Sequence, residues 1–152
     1  MVPCTTGQLR FIMIPKLLAA WSLLAVSVAI HAAGLAMVLR CALALGAAAA
    51  GRTWPVTWIL IRVAWWLILL HLLEIAVWAI FFWWQRCLPD LESAFYFSGV
   101  TYTTVGYGDL VLPLEWRLLG PVEALTGILM CGLSTGFFFA LVGKIHGTKT
   151  EP

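Results

Sequence analysis

An all-α membrane protein is the fold class this sequence predicts, and three observations predict it. The chain is 62% hydrophobic and only 11% charged over 152 residues, with a mean hydropathy of +0.98. A water-soluble domain of that length has no interior large enough to hide so much apolar surface. Three stretches, 17–39, 56–84 and 117–143, are apolar and long enough to cross a bilayer. Between the second and third lies a segment, 91–103, that is too short to cross and runs into a glycine-containing loop. Such a segment can enter lipid and return only where protein buries it or where it lines a water-filled cavity.

Composition also excludes other classes. The formal net charge is +2 and no basic cluster is present, so no nucleic-acid partner is expected. Cys4, Cys41, Cys87 and Cys131 lack metal-ligand spacing and read as isolated thiols. No Ser/His/Asp or Cys/His arrangement points to an enzyme, and no cofactor is expected.

Taken in order, residues 1–55 form a first unit. Residues 1–16 are short and mixed, with Arg10, Pro15 and Lys16, and are expected at the interface or disordered. Residues 17–39 make the first span. A signal peptide is the rival reading, but the apolar run is too long for one and continues past His31 to Arg40. Residues 40–55, with an Ala-rich run, Gly51, Arg52 and Pro55, are expected to be a loop or a short interfacial helix. The second unit, 56–143, opens with a span over 56–84 that carries Arg62, His71 and Glu74 and ends on Trp83 and Trp84, as an interfacial aromatic anchor would. After a polar turn at 85–90, Asp90 is suited to start a short helix over 91–103, and residues 110–116 return to the surface. The third span is 117–143, and a short tail, 144–152, follows it. No ligand-binding domain is expected after that span.

The loop itself reads Thr103-Thr104-Val105-Gly106-Tyr107-Gly108-Asp109. A dehydrated cation needs a cage of oxygens in place of its water. Backbone carbonyls supply one if successive peptides turn the same way, which requires φ to alternate between ordinary and left-handed values. Only glycine visits the latter cheaply, and Gly106 and Gly108 are spaced by two. TTVGYGD between two apolar spans matches a known cation filter.

Residues 89–143 therefore resemble the pore unit of bacterial two-helix potassium channels: pore helix, filter at 104–108, extracellular turn with Arg117, and inner helix with Gly127 and Gly132. The outer helix, 56–84, is similar only in kind, and the first span has no place in that pattern. The resemblance implies a fourfold-symmetric channel, a homotetramer in the bilayer that conducts K+ passively. Ions would bind at Thr104, Val105, Gly106, Tyr107 and Gly108, with Asp109 forming an outer ring of carboxylates. Ile128, Cys131 and Thr135, three and four apart, make one helical stripe that would line the cavity below the filter. Phe138 or Phe139 would narrow the cytoplasmic mouth. Gly127 and Gly132 are read as hinge points or close-packing sites. Val100 stands where the best-known relative has a buried Glu, and Tyr96 and Phe97 replace a pair of tryptophans. These changes spare the ion cage and bear on filter inactivation. K+ is the only metal expected, as the permeant ion.

The polarity of such a filter implies a prokaryotic-type plasma membrane protein with its C-terminus in the cytoplasm and, with three spans, its N-terminus outside. The balance of Lys and Arg supports this only weakly. A non-conducting regulatory or assembly subunit, or a proton-coupled carrier using His71 and Glu74, are the alternatives.

His31, His71, Glu74 and Glu123 are the costly residues, since ionisable groups within a bilayer seldom face lipid. By helical rise, His31, His71 and Glu74 lie at similar depths, about 15 to 21 Å from the outer surface. A buried hydrogen-bonded cluster tying the first helix to the pore is expected, with a metal site and a proton relay as other uses. Glu123, only about 9 Å deep and off the cavity stripe, is expected nearer Trp78 than His71.

Overall fold

The structure, a computed structural model, describes residues 6–48 and 53–147, and side chains within 14–44 and 57–144. Its elements are α1 (Thr6–Ala48), α2 (Thr53–Trp84), α3 (Leu91–Tyr102) and α4 (Leu119–Gly147), with no strand among the described residues. Stretches of α1, α2 and α4, at Ile14–Ala44, Thr57–Trp84 and Leu119–Lys144, are each long and apolar enough to cross a membrane. The fold is therefore all-α, with three membrane helices and a short helix inserted between the last two.

Some boundaries differ from expectation. α1 starts at Thr6 and runs through Pro15 to Ala48, so neither the whole of 1–16 nor the whole of 40–55 is irregular. The Ala-rich run after Arg40 has the highest helix propensity. In lipid, backbone groups have no partner but their own helix, so one missing N–H at Pro15 does not end it. α2 likewise begins at Thr53 rather than 56. α4 begins at Leu119 rather than 117, because a hydrogen-bonded turn precedes it: Trp116 N donates to Pro113 O at 2.8 Å and Leu119 N to Trp116 O at 3.0 Å. It continues to Gly147.

α1 packs against both α2 and α4. One core, built on Leu23, Trp78, Phe82, Leu88, Leu112 and Leu119, gathers α1, α2, α4 and the two connecting loops at one end. A second, with Val38, Ile59, Val63, Leu67 and Leu141, closes the other end. Ile75, Tyr102 and Met130 form a small cluster of their own. Lipid is as apolar as leucine, so close fit and polar bonds hold these helices together, with little hydrophobic drive. Aromatic edges supply part of that fit: Phe82 meets Phe97 at 5.4 Å and 85°, and Phe81 meets Trp116 at 5.7 Å and 79°. The Lys16 ammonium lies 5.4 Å from the centre of the Trp116 ring, which puts the N-terminal part of α1 beside the loop that leads into α4.

Candidate functional site

α3 is capped at both ends by its own sequence. At its start, Asp90 accepts from Ser93 N at 2.7 Å and from the Ser93 hydroxyl at 3.0 Å. Such a cap is typically worth about 1 kcal/mol. At its end, Thr104 N donates to Thr101 O at 2.9 Å and Val105 N to Val100 O at 3.0 Å. This pair of bonds is a Schellman motif, which places a left-handed residue just past the helix. That residue is Thr104, at φ +61°. Glycine is usual there, which is why the sequence did not reveal it. Thr103 is the capping residue, so α3 stops one residue short of the expected 91–103. Gly106 N also donates to Val100 O, at 3.2 Å, so one helix carbonyl grips the first two amides after the turn.

Gly106 and Gly108 follow at φ +58° and +76°. Left-handed backbone thus recurs at every second residue, 104, 106 and 108, with no positive φ at Val105 or Tyr107. This alternation turns successive peptides alike, as an oxygen-lined path requires. Val105 and Tyr107 are 53% and 71% exposed in the single chain.

At the end of the loop, the Tyr96 hydroxyl donates to Asp109 Oδ2 at 2.7 Å, and Leu110 N donates to Oδ1 at 3.0 Å. The Tyr96 bond holds the Asp109 carboxyl below its ordinary range and, from the other side, pushes the Tyr96 phenol up. Sequence comparison noted Tyr96 only as a replaced tryptophan. Tyr96→Phe is expected to raise the pKa of Asp109. The bond favours the ionised form, so with it the carboxylate keeps its charge to lower pH. A carboxyl-carbon NMR titration of both proteins checks this, and a midpoint in Tyr96→Phe at or below that of the wild type would contradict it.

On α4, Ile128, Cys131 and Thr135 are all exposed in the single chain, and the Thr135 hydroxyl is returned to Cys131 O at 2.8 Å. Gly127 packs tightly: a Cβ there would lie 1.9 Å from Tyr102 O. Gly132 has nothing within 4 Å of such a Cβ. Phe138 packs into the second core, whereas Phe139 is 70% exposed.

Three of the four intramembrane ionisable residues come together. His31 Nδ1 is 2.8 Å from Glu74 Oε1, and the Tyr102 hydroxyl donates to Glu74 Oε2. His71 Nδ1 lies 3.1 Å from the Tyr102 oxygen and 3.9 Å from Glu74 Oε2. Ser134 Oγ is 3.4 Å from His31 Nε2. His31, Glu74 and Tyr102 are 1%, 0% and 1% exposed. Donor atoms of His31, His71 and Glu74 lie within 4.8 Å of one another, a spacing in which a metal ion could be held. Both Glu74 oxygens already have partners, so the side chains also form a hydrogen-bonded group by themselves. Tyr102 and Ser134 escaped sequence reasoning. The signal for Tyr102 was a phenol hydroxyl at membrane depth, which must find a partner.

Glu123 stands apart from that group. It is fully buried, as is Ser98 on α3. Neither its carboxylate oxygens nor the Ser98 hydroxyl has a hydrogen-bond partner among the described residues.

A protein-family model described as "Ion channel" matches residues 66–144, just over half of the chain. The matched region runs from Trp66 in α2 through α3 and the loop to Lys144 in α4, and leaves out α1. No curated protein and no solved structure matches the chain.

Proposed function

The chain belongs to this ion-channel family, and from that premise we propose that it is the subunit of a potassium-selective channel acting as a homotetramer. One observation carries the reading: the alternation of left-handed residues at Thr104, Gly106 and Gly108 within TTVGYGD. Four such loops around an axis stack rings of carbonyl oxygens from residues 104–107, with the Thr104 hydroxyl closing the inner end and Gly108 and Asp109 at the outer mouth. The exposed faces of Val105 and Tyr107 then lie at the contacts between copies. Ile128, Cys131 and Thr135 line the cavity below. Ion passage is passive and needs no cofactor or catalytic residue.

In this reading 56–143 is the pore unit, 1–55 carries the added helix, and 144–152 is the tail. The loop end at Asp109 faces outward and the C-terminus lies in the cytoplasm of a prokaryotic-type cell. Purified protein in potassium-loaded liposomes tests it. Potassium efflux that exceeds sodium efflux is the expected result. Silence would favour a non-conducting assembly subunit, and flux that needs a proton gradient would favour a carrier.

A further inference from the structure

We propose that Glu74 is a positioning residue for the ion filter, acting through Tyr102, and that His31 of α1 holds it in that position. The inference rests on the channel reading above; Glu74 and Tyr102 lie within the matched family region, and His31, on α1, lies outside it.

Tyr102 is the last residue of α3, two residues before the left-handed turn at Thr104. It is held at two points. Its carbonyl lies against Gly127, so closely that a Cβ there would sit 1.9 Å away. Its hydroxyl donates to Glu74 Oε2 and has His71 Nδ1 at 3.1 Å. The other Glu74 oxygen is taken by His31 Nδ1 at 2.8 Å, and the far nitrogen of His31 faces the Ser134 hydroxyl at 3.4 Å. One donor assignment accounts for every contact in the group. Tyr102 O–H and His31 Nδ1–H both donate to the carboxylate, His71 Nδ1–H donates to the phenol oxygen, and Ser134 O–H donates to His31 Nε2. All four helices thus meet at one group.

The mechanical path to the filter is short. The carbonyl of Val100, half a turn before Tyr102, accepts from both Val105 N and Gly106 N. The end of α3 and the first filter peptides therefore move as one piece. Displacing the Tyr102 ring rotates that end and with it the carbonyls of residues 104–106. In a buried site, loss of one member leaves its partners unsatisfied, so the group holds its place as a unit.

The test uses the full chain in liposomes, with potassium and sodium efflux measured for wild type, Tyr102→Phe, Glu74→Gln, the double variant and His31→Gln. Ser27→Ala is the control. It removes a comparably buried α1–α2 bond, from Trp78 Nε1 to Ser27 Oγ at 3.2 Å, that belongs to no part of this group. Tyr102→Phe and Glu74→Gln are each expected to lower the potassium-to-sodium ratio about tenfold or more, and the double variant no further than the worse single. His31→Gln should lower it less, and Ser27→Ala should lower thermal stability with the ratio unchanged. Where Tyr102→Phe and Glu74→Gln fail to assemble, His31→Gln decides against the same control. A ratio within about twofold of wild type in the assembled variants, with only stability lost, overturns the inference and leaves the channel reading intact. Absence of selective flux in the wild type overturns the channel reading, and this inference with it.

Discussion

Gly106→Ala is expected to abolish potassium flux while the protein still inserts and folds. Gly106 sits at φ +58°, and a Cβ built there meets nothing within 4 Å in the single chain. Crowding is therefore not the cause within one subunit. The cost is conformational. An L-residue held left-handed costs roughly 1–2 kcal/mol, and in the proposed tetramer each ring would bear it four times. Alanine relieves the strain by turning its peptide, which swings one carbonyl out of the oxygen ring. The helices do not depend on this residue, so circular dichroism and detergent-solubilised yield should match the wild type. A variant that keeps the wild-type preference for potassium over sodium would show that residues 104–108 are not the filter.

Gly127→Ala is expected to fail earlier, at folding. Its Cβ would lie 1.9 Å from Tyr102 O and 2.8 Å from Tyr102 C. The obstacle is backbone, which cannot swing aside as a side-chain tip can. Either α4 moves away from α3 or the end of α3 is displaced. Overpacking commonly costs about 1–3 kcal/mol, and more where the neighbour is rigid. Thermal melts of the purified protein check this. Gly127→Ala should melt well below the wild type, and Gly132→Ala, with open space around it in the single chain, should not. A Gly127→Ala melting point within about 2 °C of the wild type would refute the packing account. The contact favours a packing role over a hinge at Gly127.

The spans were legible because lipid leaves little choice: an apolar run of sufficient length must be helical. Where helix bounds missed, as at the Ala-rich end of α1, composition was ambiguous between loop and helix until the bilayer's demand for internal hydrogen bonds was weighed. The shared level of His31, His71 and Glu74 followed from counting rise along two helices. So did the separation of Glu123, which is nearer the end of its helix. Tyr102 and Ser134 were not legible. Ser134 lies 103 residues from His31, and no local pattern links them. The left-handed Thr104 was hidden by its Cβ, since sequence rules assign such backbone to glycine. Only the paired bonds of the helix end reveal why threonine is held there.

The grip of Val100 O on two amides has a consequence for how the loop is kept in order. Thr103, Thr104, Val105 and Gly106 all donate their N–H groups back to α3, whereas those of Tyr107 and Gly108 find no protein acceptor among the described residues. Fixing the backbone of one residue costs about 1–2 kcal/mol in entropy. For the inner half of the loop, the helix end offsets that cost. For the outer half, bound ions and neighbouring copies would offset it in the proposed channel. The loop is thus tethered at one end and conditional at the other. Withdrawal of potassium should let deuterium enter the amides of Tyr107 and Gly108 first, while those of Val105 and Gly106 stay protected for as long as α3 itself holds.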